Sequence, residues 1–184
     1  MTKKKELVLG ILLGFATLGV GAHADIVGGQ TVVTRDGIER SVVALIQTSQ
    51  EGVTLCTATL LTPTVALTAA HCVESGIAGM VIRVGLDALS GPKREIRVIA
   101  ARVPAKWQTR KEQTKDTGDI ALVALEHAVA PPFKPLARAQ LASPLQKGDA
   151  LVLTGYGLSD GVKHSGAGRL RKTRVRIIDP KFSR

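Results

Sequence analysis

The strongest constraint on the fold is a series of short apolar segments, separated by turn residues, between residues 41 and 126. The segments are rich in Val, Ile, Leu and Thr, which suit a pleated, half-buried surface, and the Gly, Pro, Asp and Ser between them favour turns. Six such segments occur: Ser41–Thr48, Val53–Thr62, Thr64–Thr68, Met80–Leu86, Arg94–Val103 and Ile120–Glu126. This spacing predicts an all-β fold with one antiparallel six-stranded barrel over residues 26–130, in which the one helical turn expected is Ala69–Cys72.

A proline-rich passage, residues 131–135, follows the sixth segment and is expected to link two modules. Beyond it, two β-type segments, Asp149–Gly155 and Leu170–Ile178, lie on either side of a loop rich in Gly, Ser and Asp. Because two or three strands are too few to close a barrel, residues 136–184 are expected to form only part of a second one.

Residues 1–24 have the three parts of a secretory signal peptide. Lys3–Lys5 precede an apolar stretch from Leu7 to Gly21, and Ala22-His23-Ala24 supplies small residues at the cleavage site. A retained membrane anchor is the alternative, but the stretch is shorter than the roughly 20 residues that span a bilayer. The sequence therefore predicts a protein secreted to the periplasm or the cell exterior, with no stable membrane anchor.

Cys56 and Cys72 are the two cysteines of the chain. In an oxidising compartment an isolated pair is most simply a disulfide. Two buried free thiols are the alternative if the chain is not exported.

The formal net charge is +10, and basic residues are concentrated near the end of the sequence, between Lys163 and Arg184. A basic surface attracts nucleic acid and other polyanions. In Arg174–Ile177, however, the charges alternate with apolar residues, as in a strand with one solvated face. No interleaved pattern of aromatic residues and no recognition motif accompany the charge, so the sequence does not predict a nucleic-acid partner.

Four short strings share an informative order along the chain. Ile26-Val27-Gly28-Gly29 comes first, then Thr68-Ala69-Ala70-His71-Cys72, then Asp119-Ile120-Ala121-Leu122-Val123, and last Gly155-Tyr156-Gly157. The second string, with Cys56 available to bridge back to Cys72, is the most specific. Together the strings resemble the chymotrypsin/trypsin family of serine endopeptidases from Ile26 to the end of the chain.

The resemblance implies a trypsin-like double antiparallel β-barrel, with the first barrel complete and the second partly present. It implies that His71 is the general base and acid and that Asp119 is the buried carboxylate that orients it. A serine hydroxyl attacks a peptide carbonyl when an imidazole takes its proton, and histidine exchanges protons near neutral pH. A disulfide beside His71 would fix the turn that presents the ring.

The resemblance also implies the partners, which are protein or peptide substrates and protein inhibitors of such enzymes. The mechanism needs no metal or organic cofactor, and no clustered His, Cys and Asp residues suggest a metal site.

Other residues compete for the two catalytic positions. His127 and His164 have no supporting context and are interpreted as surface histidines, and His23 as part of the signal cleavage site. Asp116 lies three residues before Asp119, but the apolar strand directly after Asp119 favours the latter.

Ile26 is expected to become the N-terminus after activation, because in the family a freshly cut N-terminal Ile folds inward. Asp25 precedes it here, where the family has a basic residue. Signal cleavage after Ala24 would leave Asp25 in place, so activation requires a second cut after Asp25 or imprecise processing of the signal peptide.

The string that carries the nucleophile in the family, Gly-Asp-Ser-Gly-Gly, is absent from the 184 residues. Ser165 lies in a Gly-rich loop and is not expected to replace it. The polypeptide is therefore expected to be an inactive, C-terminally truncated form, from a fragment or an interrupted reading frame. The alternative is an exported, non-catalytic binding protein built on the same barrel.

Overall fold

A computed structural model describes residues 26–50, 52–91, 94–108, 118–136 and 144–180. The predicted signal peptide (residues 1–24), Asp25 and Asp116 lie outside these residues. None of the helices in the described ranges is long and apolar enough to cross a membrane.

The described residues form nine strands and a few short helical turns. The strands are β1 Gln30–Thr31, β2 Val42–Ser49, β3 Gly52–Thr62, β4 Val65–Thr68, β5 Met80–Arg83, β6 Glu95–Arg102, β7 Ala121–Leu125, β8 Ala150–Gly155 and β9 Arg171–Arg176. The helical turns are 3₁₀ turns at Thr34–Asp36, Ile38–Arg40 and Ala70–Val73, and the one-turn α-helix α1, Ala105–Gln108.

Six of these strands close into an antiparallel barrel in the order β2-β3-β4-β7-β6-β5. They are the six segments predicted from the sequence, so the all-β prediction with a closed six-stranded barrel is confirmed. Alternate residues point inward, and the interior is filled by aliphatic side chains that solvent does not reach. They include Val43, Leu45, Leu60, Ile82 and Val123.

A second, three-stranded antiparallel sheet has the order β1-β9-β8. Strands β8 and β9 are the two segments expected after residue 136. Strand β1 was not expected there: Gln30 pairs with Lys172 and Thr31 with Arg171, so the start of the chain joins the later sheet. Two residues carry too little pattern to reveal a strand.

Strand β2 joins the two sheets, because both of its faces are buried. Val43 and Leu45 point into the barrel, whereas Val42, Ala44 and Ile46 belong to a second apolar cluster. That cluster also contains Val32, Ala88, Tyr156 and Leu170.

The buried hydroxyl of Tyr156 crosses the joint between the sheets. It lies 2.6 Å from the carbonyl oxygen of Gly85 and 3.3 Å from that of Val42, so its one proton is shared between two acceptors. Burial raises the pKa of the phenol, which keeps it protonated and able to donate. Tyr156 therefore attaches the three-stranded sheet to the barrel.

The helical content differs slightly from the expectation. The turn expected at Ala69–Cys72 is the 3₁₀ turn Ala70–Val73, but α1 was not expected. Its four residues are too few to show helical periodicity, and it is positioned by burial of Trp107 in the barrel core.

The proline-rich passage runs along the barrel. The Lys134 amide donates to the carbonyl of Arg40, and the Leu136 amide donates to that of Leu60. The domain boundary at residues 131–135 stays a prediction.

Candidate active site

Strand register explains why His71 and Asp119 meet. Strands β4 and β7 are antiparallel neighbours, with Thr68 opposite Ala121. His71 lies three residues beyond the end of β4 in the 3₁₀ turn, and Asp119 lies two residues before β7. The two side chains therefore emerge at the same end of adjacent strands.

A disulfide fixes the turn that carries His71. Cys72 is bonded to Cys56 in the middle of β3, with an S–S distance of 2.03 Å and a Cα–Cα distance of 6.2 Å. The Thr68 hydroxyl donates to the carbonyl of Thr57 on the same strand, at 2.9 Å. Because both ends of the turn are tied to β3, the backbone that presents the imidazole has little freedom.

Asp119 holds His71 at two points. One carboxylate oxygen lies 2.8 Å from Nδ1 of the ring, and the other accepts the backbone N–H of His71 at 3.0 Å. With Nδ1 donating to the carboxylate, the neutral ring has its free lone pair on Nε2. The pair is more open than expected, since the two side chains are 36% and 38% exposed.

Opposing effects act on the pKa of Asp119. Burial alone would raise the pKa of its carboxyl group, but hydrogen bonds from the backbone and ring of His71, with the amide of Ala70, hold it below its usual value. Asp119 therefore carries its negative charge at neutral pH and can stabilise a protonated imidazole.

This lowered pKa leads to a pH prediction for Asp119→Asn. A carboxyl group with a lower pKa in the folded chain adds stability above its unfolded pKa, about 3.9, and loses it as the pH falls through the folded value. At pH 7 the free energy of unfolding of the wild type should exceed that of the variant by about 1 kcal/mol or less, because the Asp119 carboxylate is part-exposed and solvent screens its interactions. Urea unfolding from pH 7 to pH 2 should show the difference shrinking below about pH 4. A difference that persists unchanged to pH 2 would contradict the assignment.

A cavity of about 520 Å³ lies beside His71 and reaches both sheets. Its walls come from β3, the His71 turn and the loops at Leu89 and residues 157–167. The lining residues are Val53, Leu55, Cys56, Thr57, Ala69, His71, Cys72, Leu89, Gly157, Leu158, His164 and Ala167. The ring of His71 can therefore be reached from this cavity.

The sequence interpretation missed part of this lining. His164 is exposed, in agreement with its interpretation as a surface histidine, and it also lines the cavity together with His71. Its φ of 48° lies in the left-handed region, which is uncommon outside glycine. No local sequence pattern could have brought His164 to the site, whereas the Gly-Tyr-Gly string did indicate Gly157.

Three other residues considered from the sequence, His127, Ser165 and Ile26, do not line this cavity. His127 is exposed, with Nδ1 3.4 Å from the carbonyl oxygen of Ala128. Ser165 pairs with Asp160 in a loop and is not among the residues that line the cavity. Ile26 is buried, and its amide donates to the carbonyl of Leu158 at 2.9 Å.

The seat of Ile26 depends on two glycines. A Cβ on Gly29 would collide with Cγ2 of Ile26, and one on Gly155 would lie 3.6 Å from Cγ1 of Ile26 and 3.0 Å from Oγ1 of Thr57. The Ile26 side chain therefore packs against Gly29 and Gly155, where any larger residue would collide with it or crowd it.

Cys56, His71 and Cys72 lie close enough together for their side chains to share a metal ion. Both sulfurs, however, are joined in the disulfide. Since metals bind cysteine as the thiolate, this group does not form a metal site.

A closed β-barrel with a His–Asp pair at its rim, joined to a second sheet, defines a chymotrypsin-like hydrolase fold. The family model described as Trypsin matches residues 26–183, so the chain belongs to the trypsin family of serine proteases.

One curated protein and two solved structures are similar to this chain. Human granzyme M is 28% identical over 181 residues, which cover 95% of this chain and 65% of granzyme M. Neuropsin, a serine protease expressed in the limbic system of mouse brain, has a similar structure with a TM-score of 0.66 and 23% identity, covering 84% of this chain and 66% of neuropsin. The inactivated protease paralogue S-I1 of the scabies mite has a TM-score of 0.64 and 21% identity, covering 83% and 66%. The chain spans about two thirds of the length of these relatives.

Proposed function

We propose that the protein is a secreted serine endopeptidase in which His71 is the general base and acid and Asp119 is its orienting partner. The observation that carries the proposal is the 2.8 Å contact between Nδ1 of His71 and the Asp119 carboxylate, beside a disulfide at Cys72. The substrates are proteins or peptides, and protein inhibitors of such enzymes are further partners.

The hydrogen bonds of Asp119 support separate roles for the two ring nitrogens of His71. Asp119 accepts the Nδ1 proton, so Nε2 is the nitrogen that takes the proton of a serine hydroxyl as the oxygen attacks the peptide carbonyl. Nε2 then gives this proton to the leaving amine. The His71 backbone N–H donates to the other carboxylate oxygen, which fixes the carboxylate so that it can hold Nδ1 of the ring through both transfers.

We further propose that the 184-residue polypeptide does not hydrolyse peptides by itself. It contains no Gly-Asp-Ser-Gly-Gly string, and no serine lines the cavity at His71 among the described residues. A His–Asp pair without a nucleophile cannot form an acyl-enzyme.

The proposed organisation follows the sequence. Residues 1–24 form a cleaved signal peptide, residues 26–130 the first barrel, residues 131–135 the linker, and residues 136–184 part of a second barrel. Export agrees with the disulfide, because disulfides persist in oxidising compartments. Ile26 becomes the N-terminus after a cut that removes Asp25.

A fluorophosphonate probe, which labels activated serines, tests the proposal. The purified 184-residue chain should not be labelled. A longer polypeptide, translated from coding DNA that continues past the Arg184 codon, should contain the Gly-Asp-Ser-Gly-Gly string and be labelled. This labelling should be lost in His71→Ala and kept in the matched control His127→Ala. Labelling of the 184-residue chain that requires His71 would refute its inactivity.

A non-catalytic binding protein is the second candidate. The observation that favours it is the cavity beside His71, which is partly apolar and whose described lining has no nucleophilic serine. If the coding DNA beyond Arg184 lacks the serine string in all frames, this candidate replaces the first.

A further inference from the structure

The two faces of β9 differ sharply in charge. Lys172, Arg174 and Arg176 alternate along the strand, so their side chains lie on one face. Their partners on β8 are Thr154, Val152 and Ala150, which add no acidic group. We call this face, defined by Lys172, Arg174 and Arg176, the cationic face.

The opposite face carries one cation, Arg171, and is otherwise uncharged. Val175 lies opposite Leu151, and Thr173 lies opposite Leu153. Three of the four cations of the strand therefore lie on one side of the sheet.

Little of the charge on the cationic face is neutralised. Lys172 forms an ion pair with Asp36. Nη1 of Arg176 donates to the carbonyl of Gly148, which carries no formal charge. Among the described residues, neither Arg174 nor Arg176 forms an ion pair, and both are exposed. Two guanidinium groups are thus available to an anionic ligand.

A shallow cavity of about 440 Å³ lies against the cationic face. It is lined by Gly28, Gln30, Val152, Lys172, Thr173 and Arg174. Gln30 pairs with Lys172 across the sheet, so an amide lies beside the cations. Polar groups that can bind hydroxyls are therefore combined with groups that bind anions.

We propose that the cationic face binds a sulfated polysaccharide. Side chains on one face of a strand recur about every 6.7 Å, which suits an extended polymer with anionic groups along its length. Arg binds oxyanions through paired N–H donors, and the side-chain amide of Gln30 can bind sugar hydroxyls. This site is separate from His71 and independent of catalysis.

The same face is poorly suited to single-stranded nucleic acid. Such binding combines a basic groove with aromatic side chains on which bases stack. Within the described part of the chain, Trp107 and Tyr156 are buried and Phe133 packs against the barrel core. No described aromatic residue lines the cavity.

Binding of a heparin oligosaccharide of defined length to the 184-residue chain tests the proposal. The double variant Arg174→Gln with Arg176→Gln should bind about tenfold more weakly at low salt, and the slope of log Kd against log [NaCl] should fall by about 1 to 2. The matched control is Arg94→Gln with Arg102→Gln, which removes the same charge from exposed positions on the barrel side and should lose less than about threefold. If the double variant fails to fold, Arg174→Gln alone decides, because it keeps the bond between Arg176 and Gly148.

Three results would overturn the proposal. The first is equal weakening in the cationic-face variant and its control, which would mean that only net charge matters. The second is binding to polyglutamate or to a single-stranded oligonucleotide of equal charge as tight as binding to heparin. The third is no binding of heparin at low salt.

Discussion

Tyr156→Ala is expected to destabilise the fold by about 3 to 5 kcal/mol, the range for removing a large aromatic side chain from a core. Tyr156 is fully buried between the barrel and the three-stranded sheet. Its loss leaves a cavity there and removes the hydroxyl that reaches both Val42 and Gly85. Since small domains have about 5 to 15 kcal/mol in all, a large part of the stability depends on this residue.

Urea denaturation measures the effect, and two further variants separate its causes. Tyr156→Phe keeps the ring and loses only the hydroxyl bonds, so it should cost about 1 to 2 kcal/mol. Leu153→Ala on the same sheet removes a side chain that is 46% exposed and should cost less than about 1 kcal/mol. If Tyr156→Ala costs no more than Leu153→Ala, the two sheets are not joined through this residue.

Replacing both Cys56 and Cys72 by alanine is expected to lower the free energy of unfolding by about 3 kcal/mol. The disulfide closes a loop of 16 residues, and a closed loop of that length reduces the conformational entropy of the unfolded chain by an equivalent amount. The effect should extend to the site, since the disulfide fixes the turn that places His71 against Asp119. Hydrogen exchange at the His71 amide, which donates to Asp119, should therefore accelerate.

The wild type under reducing conditions is the natural comparison for this variant and should lose similar stability. Thr54→Ala, an exposed change on the same strand, should have an effect within about 0.5 kcal/mol. Unchanged stability and unchanged exchange at His71 would show that the turn is held without the disulfide.

The barrel was predictable because its strands are apolar segments bounded by turn residues. In β2 and β3, runs of Val, Leu and Thr mark the strands, and the structure differs from the predicted bounds by at most one residue at each end. Strand β5 ends earlier than predicted, at Arg83, because the chain turns away at Gly85, whose φ of 126° favours glycine.

What the sequence could not show is the pairing between distant segments. His71 and Asp119 could be chosen from their flanking residues, and the structure brings them together. The approach of Leu158 and His164 to the same cavity depends on how the second sheet packs against β2, which no local pattern encodes. Strand β1 was missed for the same reason, since its two residues become a strand only through pairing with β9.

The pairing of β1 with β9 sets an order of events during biosynthesis. Gly29 and Arg171 are hydrogen-bonded across a separation of 142 residues, whereas all barrel strands have been synthesised once Leu125 is made. On a nascent chain the barrel can therefore close early, while β1 stays unpaired until β9 has been synthesised. Until it arrives, the outer side of β2, with Val42, Ala44 and Ile46, stays open to water and to chaperones.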